Sequence, residues 1–449
     1  MSADGVFVYH PLGLTTPLFE LWREASKQPP RAQPAVSPEL LKRHRSHVAA
    51  RLRGAPSFPG DQTEDSRELV QLFRAFFPAF LEQIGAPPDR ADIPVTFPTL
   101  ALFDARVAEV AQQRGIFVTS RVLDMIELFA RTMSLCARLN GLAIPVLCAL
   151  GDPPPPHVLL AWMPLHNHGL AGFTLSELLG VPIAGNLRQR LEGQIFAAVP
   201  GFSAEASRAW GRHRLAAYLA QITLASMQRL LRPDLAGGEE LLGIAGELPS
   251  CDEAMSMDAR YLATVVLTFI VLHEHAHIAH RHNSLEPMEE DPQIRHIVEG
   301  AMQFAKDHPD TVAVDLTEST QRFEQDADCF AIEAVPETYR SAILEAATLW
   351  FTTLASADRG GTDWLEKSAE AKGRAYPQYA MRVWFLNGRY STGMRQGKIA
   401  QEITRTAQAI EASASSVDLS LEKLVPVFRA LWEIGCAEVA RPPDIGRRP

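Results

Sequence analysis

The chain of 449 residues has few cysteines, no excess of basic residues and no Cys-x-x-Cys pair. Its five cysteines are odd in number and widely spaced, which favours reduced thiols over a disulfide framework or a thiolate zinc site. The formal net charge of −10 argues against nucleic-acid binding, because phosphate backbones bind clustered cations. We therefore expect a cytoplasmic protein that does not bind nucleic acid.

The sequence also lacks the features of a secreted or membrane-embedded protein. Residues 1–13, MSADGVFVYHPLG, have neither a charged n-region nor an apolar h-region. The longest apolar candidate, Tyr261–Leu272, is well short of the roughly 20 residues that span a bilayer. We predict no transmembrane segment, and a hydrophobic content of 47% with a charged content of 21% is typical of a soluble globular protein.

What the chain does contain is a long apolar segment, Ser256–Asn283, with helical features. Ser256 is a favourable helix-start residue, and Asp258 in the first turn is stabilised by the helix dipole. The nearly unbroken apolar run Leu262–Leu272 predicts a helix that is buried on most sides.

This segment ends in HEHAH, an instance of the His-Glu-x-x-His motif. Because four residues make just over one helical turn, His273 and His277 share a face, and two imidazoles at that spacing suit a zinc ion. Glu274 is placed to act as a general base on a water molecule at the metal without coordinating the metal itself. The alternative is a helix end with solvated histidines, since the motif alone is short.

A second segment, Thr317–Val335, also reads as a helix and offers a third ligand. Glu324 and Asp328 are four residues apart and therefore share a face. Glu324 could complete a site of two histidines and one glutamate, and Asp328 could accept a hydrogen bond from a ligand imidazole. The small Ala327 between them allows two helices to pack closely.

The two segments together resemble the HExxH…ExxAD signature of the gluzincin zinc metallopeptidases, especially the HtpX-like branch. The resemblance implies zinc ligands at His273, His277 and Glu324. It also implies a general base at Glu274, an orienting carboxylate at Asp328, and hydrolysis of peptide bonds in a protein or peptide substrate. It covers under a third of the chain.

A third stretch, YPQYAMRV, agrees with a His-Pro-x-x-x-x-Arg-[Ile/Val] pattern of the same branch, with Tyr376 in place of the usual histidine. The resemblance implies that Arg382 anchors the ligand helices electrostatically, and we include Tyr376 and Arg382 among the candidate catalytic residues. The donor that stabilises the oxyanion stays open among five residues: His296, His308, Tyr376, Tyr379 and Arg382.

From these patterns we predict a mainly α (α+β) fold, with a gluzincin-like core and a small sheet. Ala101–Arg114 reads as a helix, whereas Ala143–Leu150 and His157–Met163 read as two strands joined by a proline-rich loop. In gluzincins an edge strand beside the HExxH helix holds extended substrate, and this pair is the candidate for it.

The predicted organisation has four parts. Residues 1–140 are a mostly helical region, 141–255 a small sheet with a helical insertion, 256–390 the zinc peptidase core, and 391–449 C-terminal helices with a tail. The alternative function is a non-catalytic, metal-stabilised helical scaffold that binds a partner, although a structural site has no need of Glu274. Two histidines and one carboxylate also suit iron(II), but the HExxH spacing with an adjacent base favours zinc.

Overall fold

The computed structural model of the protein describes residues 17–51, 63–87, 90, 92–100, 102–110, 113–149, 186–231, 247–280, 319–358, 379, 382, 386, 389–390 and 421–441. The helices and strands in these residues are, in chain order, α1 (Pro17–Ala25), α2 (Pro38–Arg51), α3 (Glu68–Gln83), β1 (Val95–Thr96), β2 (Ala105–Val110), β3 (Gln113–Val118), α4 (Ser120–Ala149), α5 (Leu187–Ile195), α6 (Ala204–Leu231), α7 (Glu253–Ala279), α8 (Ser319–Glu333), α9 (Glu337–Asp358) and α10 (Leu421–Ala440). The predicted fold class, mainly helical with a small sheet, is confirmed.

Helix α7, which carries the HExxH motif, is the helix around which α3, α4, α8, α9 and β2 pack. It begins three residues before the predicted start, because the Asp252 side chain accepts a hydrogen bond from the Met255 backbone N–H at 2.6 Å and caps the helix. Asp258 lies inside the helix and pairs with Arg138 of α4 at 3.0 Å. The helix also ends four residues before the predicted end.

By length and composition alone, α7 could cross a membrane, which corrects the expectation that no helix reaches that length. The helix is longer than the apolar run because polar residues extend it at both ends. In this structure 78% of its most apolar 18-residue window is buried inside the protein, as in the core helix of a globular protein.

The three described strands form one mixed sheet in the order β1-β3-β2, with β1 parallel and β2 antiparallel to β3. On one face of the sheet, Leu40 of α2 packs with Ala108 and Phe117. On the other face, Ile116 and Val118 join the main hydrophobic core. Because β2 is last in the order β1-β3-β2, it is an edge strand within this sheet, and it lies against α7.

Two predictions of secondary structure are wrong. The predicted helix Ala101–Arg114 contains β2 and the start of β3; its Ala, Glu and Arg residues favour a helix locally, but pairing between the strands overrides that preference. Residues 143–149 of the predicted strand Ala143–Leu150 are instead the end of α4, where apolar side chains pack against Ala209 of α6. The second predicted strand, His157–Met163, lies outside the described residues.

Cys251 and Cys436 form a disulfide that joins the segment before α7 to α10. The expectation of reduced thiols is wrong for this pair, because the fold brings together two cysteines that are 185 residues apart in the sequence. Cys136 and Cys329 are free and buried. The cytoplasmic expectation thus loses the support that it drew from cysteine usage.

Candidate metal centre

Three side chains with metal-binding groups converge where α7 packs against α8. The Nε2 atoms of His273 and His277 are 3.1 Å apart. Glu324 Oε2 lies 3.1 Å from His273 Nε2, and Glu324 Oε1 lies 3.5 Å from His277 Nε2. Ligand atoms about 2.0–2.1 Å from one tetrahedral zinc ion are roughly 3.3 Å apart. The three side chains therefore have the spacing of ligands that share one cation.

Glu274 lies beside these ligands. His273, Glu274 and His277 offer ligand atoms within 4.8 Å of one another, and this group could hold a metal ion. Burial is the main cause that raises the pKa of Glu274 to about 7; the nearby carboxylates of Glu324 and Asp104 raise it further, and His273 opposes them. A carboxyl group with a pKa near 7 can accept and release a proton at neutral pH.

Asp328 on α8 is fully buried and orients His273. Its Oδ1 atom lies 2.9 Å from His273 Nδ1, so a proton on Nδ1 leaves the Nε2 lone pair directed toward His277 and Glu324. Burial lowers the pKa of His273, but hydrogen bonds to Asp328 and Glu324 outweigh it and raise the pKa to about 9. The site therefore favours a positive charge.

Arg382 holds Asp328 in place. Its Nε donates to Asp328 Oδ2 at 2.7 Å and its Nη2 to Oδ1 at 2.5 Å, while its Nη1 lies 3.6 Å from Glu324 Oε2. Burial raises the pKa of Asp328, but the Arg382 guanidinium and the bond to His273 outweigh it and lower the pKa below its usual range. Arg382 also lies over the Phe351 ring, 4.1 Å from its centroid. Arg382 therefore contacts both carboxylates of α8 that lie beside His273.

The neighbouring histidines of α7 have other surroundings. His275 is buried, packs near Phe77 with ring centroids 5.9 Å apart, and has no side-chain hydrogen bond to the described residues. His280, after the helix end, hydrogen-bonds to Asp326 of α8. The candidates Tyr376, His296 and His308 lie outside the described residues.

A cavity of about 310 Å³ opens beside the convergent ligands. The residues that line it come from six parts of the chain: Phe103–Val107 at β2, Val122 of α4, Phe269, Ile270, His273, Glu274 and His277 of α7, Phe323 and Glu324 of α8, Trp350, Phe351 and Leu354 of α9, and finally Tyr379 and Arg382. Polar metal-binding groups and an apolar, largely aromatic surface therefore face the same space.

Strand β2 presents backbone groups at this cavity. Thr119 N–H donates to the Asp104 carbonyl at 3.0 Å, which identifies residues 104 and 119 as a hydrogen-bonded pair of the antiparallel ladder. Because such pairs alternate along the ladder, the N–H and C=O groups of Ala105 and Val107 point away from β3. Both residues line the cavity, so an extended peptide could pair with this edge.

The sequence predictions missed the strand wall and the contribution of α9. Two signals could have revealed the hairpin: the alternation of Phe103, Ala105 and Val107 on one side, and the strand-forming run IFVT after Gly115. For α9, Trp350 and Phe351 read only as apolar helix residues, and nothing local distinguishes a cavity wall from a core.

No protein-family model, curated protein or solved structure matches this chain, so the resemblance to the gluzincins rests on its residues alone.

Proposed function

We propose that the protein is a zinc-dependent metallopeptidase that hydrolyses peptide bonds in a protein or peptide substrate. The observation that supports this most is the convergence of His273, His277 and Glu324 within 3.1–3.5 Å, next to Glu274 and a cavity. Two imidazoles and one carboxylate are a donor set that suits zinc, and they leave a fourth position for water or substrate.

In this proposal His273, His277 and Glu324 hold the zinc ion, and Asp328 fixes the tautomer of His273. Zinc, when bound, lowers the pKa of a water molecule and polarises a carbonyl group. Glu274 takes one proton from the attacking water as its oxygen bonds to the carbonyl carbon. Glu274 then gives that proton to the amide nitrogen as the C–N bond breaks, so that one water yields a carboxyl group and an amine.

The substrate in this proposal binds as an extended strand along β2. The outward N–H and C=O groups of Ala105 and Val107 pair with its backbone, which places a peptide bond near Glu274 independently of its side chains. This role belongs to β2 and replaces the one expected for Ala143–Leu150.

Metal content and hydrolysis test the proposal together. We expect about one zinc per chain in the wild type by elemental analysis, and a sharp loss in Glu324→Ala. Glu274→Gln should keep the zinc while the rate of peptide hydrolysis falls about 10²- to 10⁴-fold. The matched control is Glu253→Gln, an exposed glutamate in the first turn of the same helix, which should retain zinc and activity.

Two results would contradict the proposal. Wild-type protein that stays metal-free after zinc is added back would contradict the metallopeptidase. Loss of zinc from Glu274→Gln would make Glu274 a ligand instead of a base.

A further inference from the structure

Arg106 lies on β2 between the two residues whose backbone groups face the proposed substrate. It lines the cavity beside the metal ligands, and its side chain is 19% exposed. Among the residues that the structure describes, no acceptor takes a hydrogen bond from its guanidinium: Nε is buried, and Asp104 Oδ2 lies 3.4 Å away from it. Because a guanidinium carries five N–H donors, Arg106 retains donors for a carboxylate of another molecule.

The cavity offers a substrate few other cationic side chains. Apart from the ligand histidines, the cations among its lining residues are Arg106 and Arg382. Two nitrogens of Arg382 donate to Asp328, and the third lies 3.6 Å from Glu324. Asp104 is only 6% exposed, so Arg106 is the more exposed member of its own pair. A substrate side chain in the cavity therefore meets Arg106 as the more available positive charge.

A substrate that pairs with β2 brings one of its side chains opposite Arg106. The outward groups of Ala105 and Val107 form two hydrogen-bonded pairs with an antiparallel strand, and Arg106 occupies the non-hydrogen-bonded pair between them. At such a pair the two side chains project to the same face, with Cβ atoms about 4.5–5.5 Å apart. Opposite charges at this spacing stabilise the pairing, and like charges destabilise it.

This position also lies near the general base. Burial raises the pKa of Glu274 to about 7, and the Arg106 guanidinium is close enough to oppose that rise. The substrate residue opposite Arg106 is therefore close to the scissile peptide bond.

We propose that Arg106 selects substrates that carry an acidic side chain, aspartate or glutamate, at the position opposite it on β2. The inference rests on the proposed peptidase function and adds the class of substrate that the site prefers. The guanidinium holds the substrate carboxylate by charge-assisted hydrogen bonds, for which its planar fork has the matching geometry. A lysine at the same substrate position meets a like charge and is disfavoured.

Peptides that differ at one position test this selectivity. Each position around the scissile bond carries Glu, Gln or Lys in turn, the C-terminus is amidated, and mass spectrometry identifies the cleaved bond. At one position we expect the zinc-loaded wild type to cleave the Glu peptide with a kcat/KM about tenfold above that of the Gln peptide, and the Lys peptide more slowly than either. Arg106→Gln should abolish the difference between Glu and Gln, and Arg106→Glu should reverse the order of Glu and Lys.

The readout separates selectivity from a loss of folded enzyme. A ratio of kcat/KM values for two peptides does not depend on the fraction of active protein, so a poorly folded variant still reports its preference. Arg106→Lys keeps the charge and should retain part of the preference for Glu. The matched control is Arg114→Gln: Arg114 is on β3, its Nε donates to Glu109 at 3.3 Å, and it does not line the cavity. This control should keep the wild-type ratio.

The outcomes distinguish this inference from the proposed function. A wild type that cleaves Glu and Gln peptides equally at every position overturns the selectivity and leaves the peptidase intact. So does a preference for Glu that Arg106→Gln leaves unchanged. If the Lys peptide is the best substrate of the wild type, the cavity selects cations and the assignment to Arg106 is overturned. Zinc-loaded wild type that cleaves no peptide of the set overturns the proposed function, and the inference with it.

Discussion

The cavity has two walls that are built in different ways. On the helical wall, α7 and α8 present side chains whose ionisable groups contact one another directly, from Glu324 through His273 to Asp328. Arg382, which is on neither helix, bonds to Asp328. On the strand wall, β2 presents backbone groups whose direction follows from its pairing with β3. The chemistry of the first wall depends on particular side chains, whereas the binding capacity of the second depends on geometry that many sequences can form.

The helical wall should be the more fragile, and Arg382→Met is the substitution that affects it most. Without the guanidinium, the fully buried carboxylate of Asp328 loses its main counter-charge, at an expected cost of about 3–5 kcal/mol in the free energy of unfolding. Zinc affinity should fall about 10- to 100-fold because Asp328 no longer orients His273 firmly. Denaturant unfolding and zinc titration measure the two effects.

Arg389→Met is the control for this prediction. Arg389 is on the same segment as Arg382, but its partner Glu333 is half exposed, so the loss of this ion pair should cost at most about 1 kcal/mol. The double variant Arg382→Met with Asp328→Asn should recover part of the lost stability, because neither charge is then left alone. If Arg382→Met and Arg389→Met lower the free energy of unfolding equally, the buried Asp328–Arg382 pair stabilises the fold no more than the half-exposed Glu333–Arg389 pair.

The contrast between the helical wall and the strand wall also explains which parts of the site could be predicted from the sequence. The periodicity of one helix predicts that His273 and His277 share a face, and the periodicity of another predicts the same for Glu324 and Asp328. Local spacing therefore reveals the helical wall. The strand wall is harder to predict from local sequence: Ala105–Val110 has a helix-favouring composition that competes with its alternation, and its pairing with β3 and packing on α7 decide in favour of the strand. The Cys251–Cys436 pair, 185 residues apart, was missed for the same reason.

The pH dependence of metal binding tests whether zinc competes with a proton on His273 of the helical wall. In the metal-free protein the pKa of His273 is about 9, raised from 6.5, so a proton occupies the site at neutral pH and zinc must displace it. Zinc affinity should therefore rise about tenfold for each pH unit up to pH 9. Calorimetric titration in buffers of different ionisation enthalpy should record the released proton.

The stability of the metal-free protein should change in the opposite sense. Because the folded-state pKa of His273 is raised, the stability that its proton contributes is fully present below pH 6.5 and is lost as pH rises through 9. The difference in Tm between zinc-loaded and chelated protein should thus widen with pH over this window. A constant difference would mean that the ligands bind no proton when zinc leaves; Glu324→Ala, with no zinc response, serves as the control.

The smallest expected effect tests the strand wall. Val107→Pro removes one outward N–H from the edge of β2 and leaves the ladder to β3 intact, a position where proline is tolerated. One hydrogen bond to the substrate backbone is worth about 0.5–1.5 kcal/mol, so kcat/KM for a peptide should fall about 2- to 10-fold, while zinc content and Tm stay unchanged. The control Ala108→Pro removes an N–H that points into the ladder, and it should lower Tm instead. If Val107→Pro cleaves peptides at the wild-type rate, the substrate does not pair with this N–H, and side-chain contacts in the aromatic cavity must position the scissile bond.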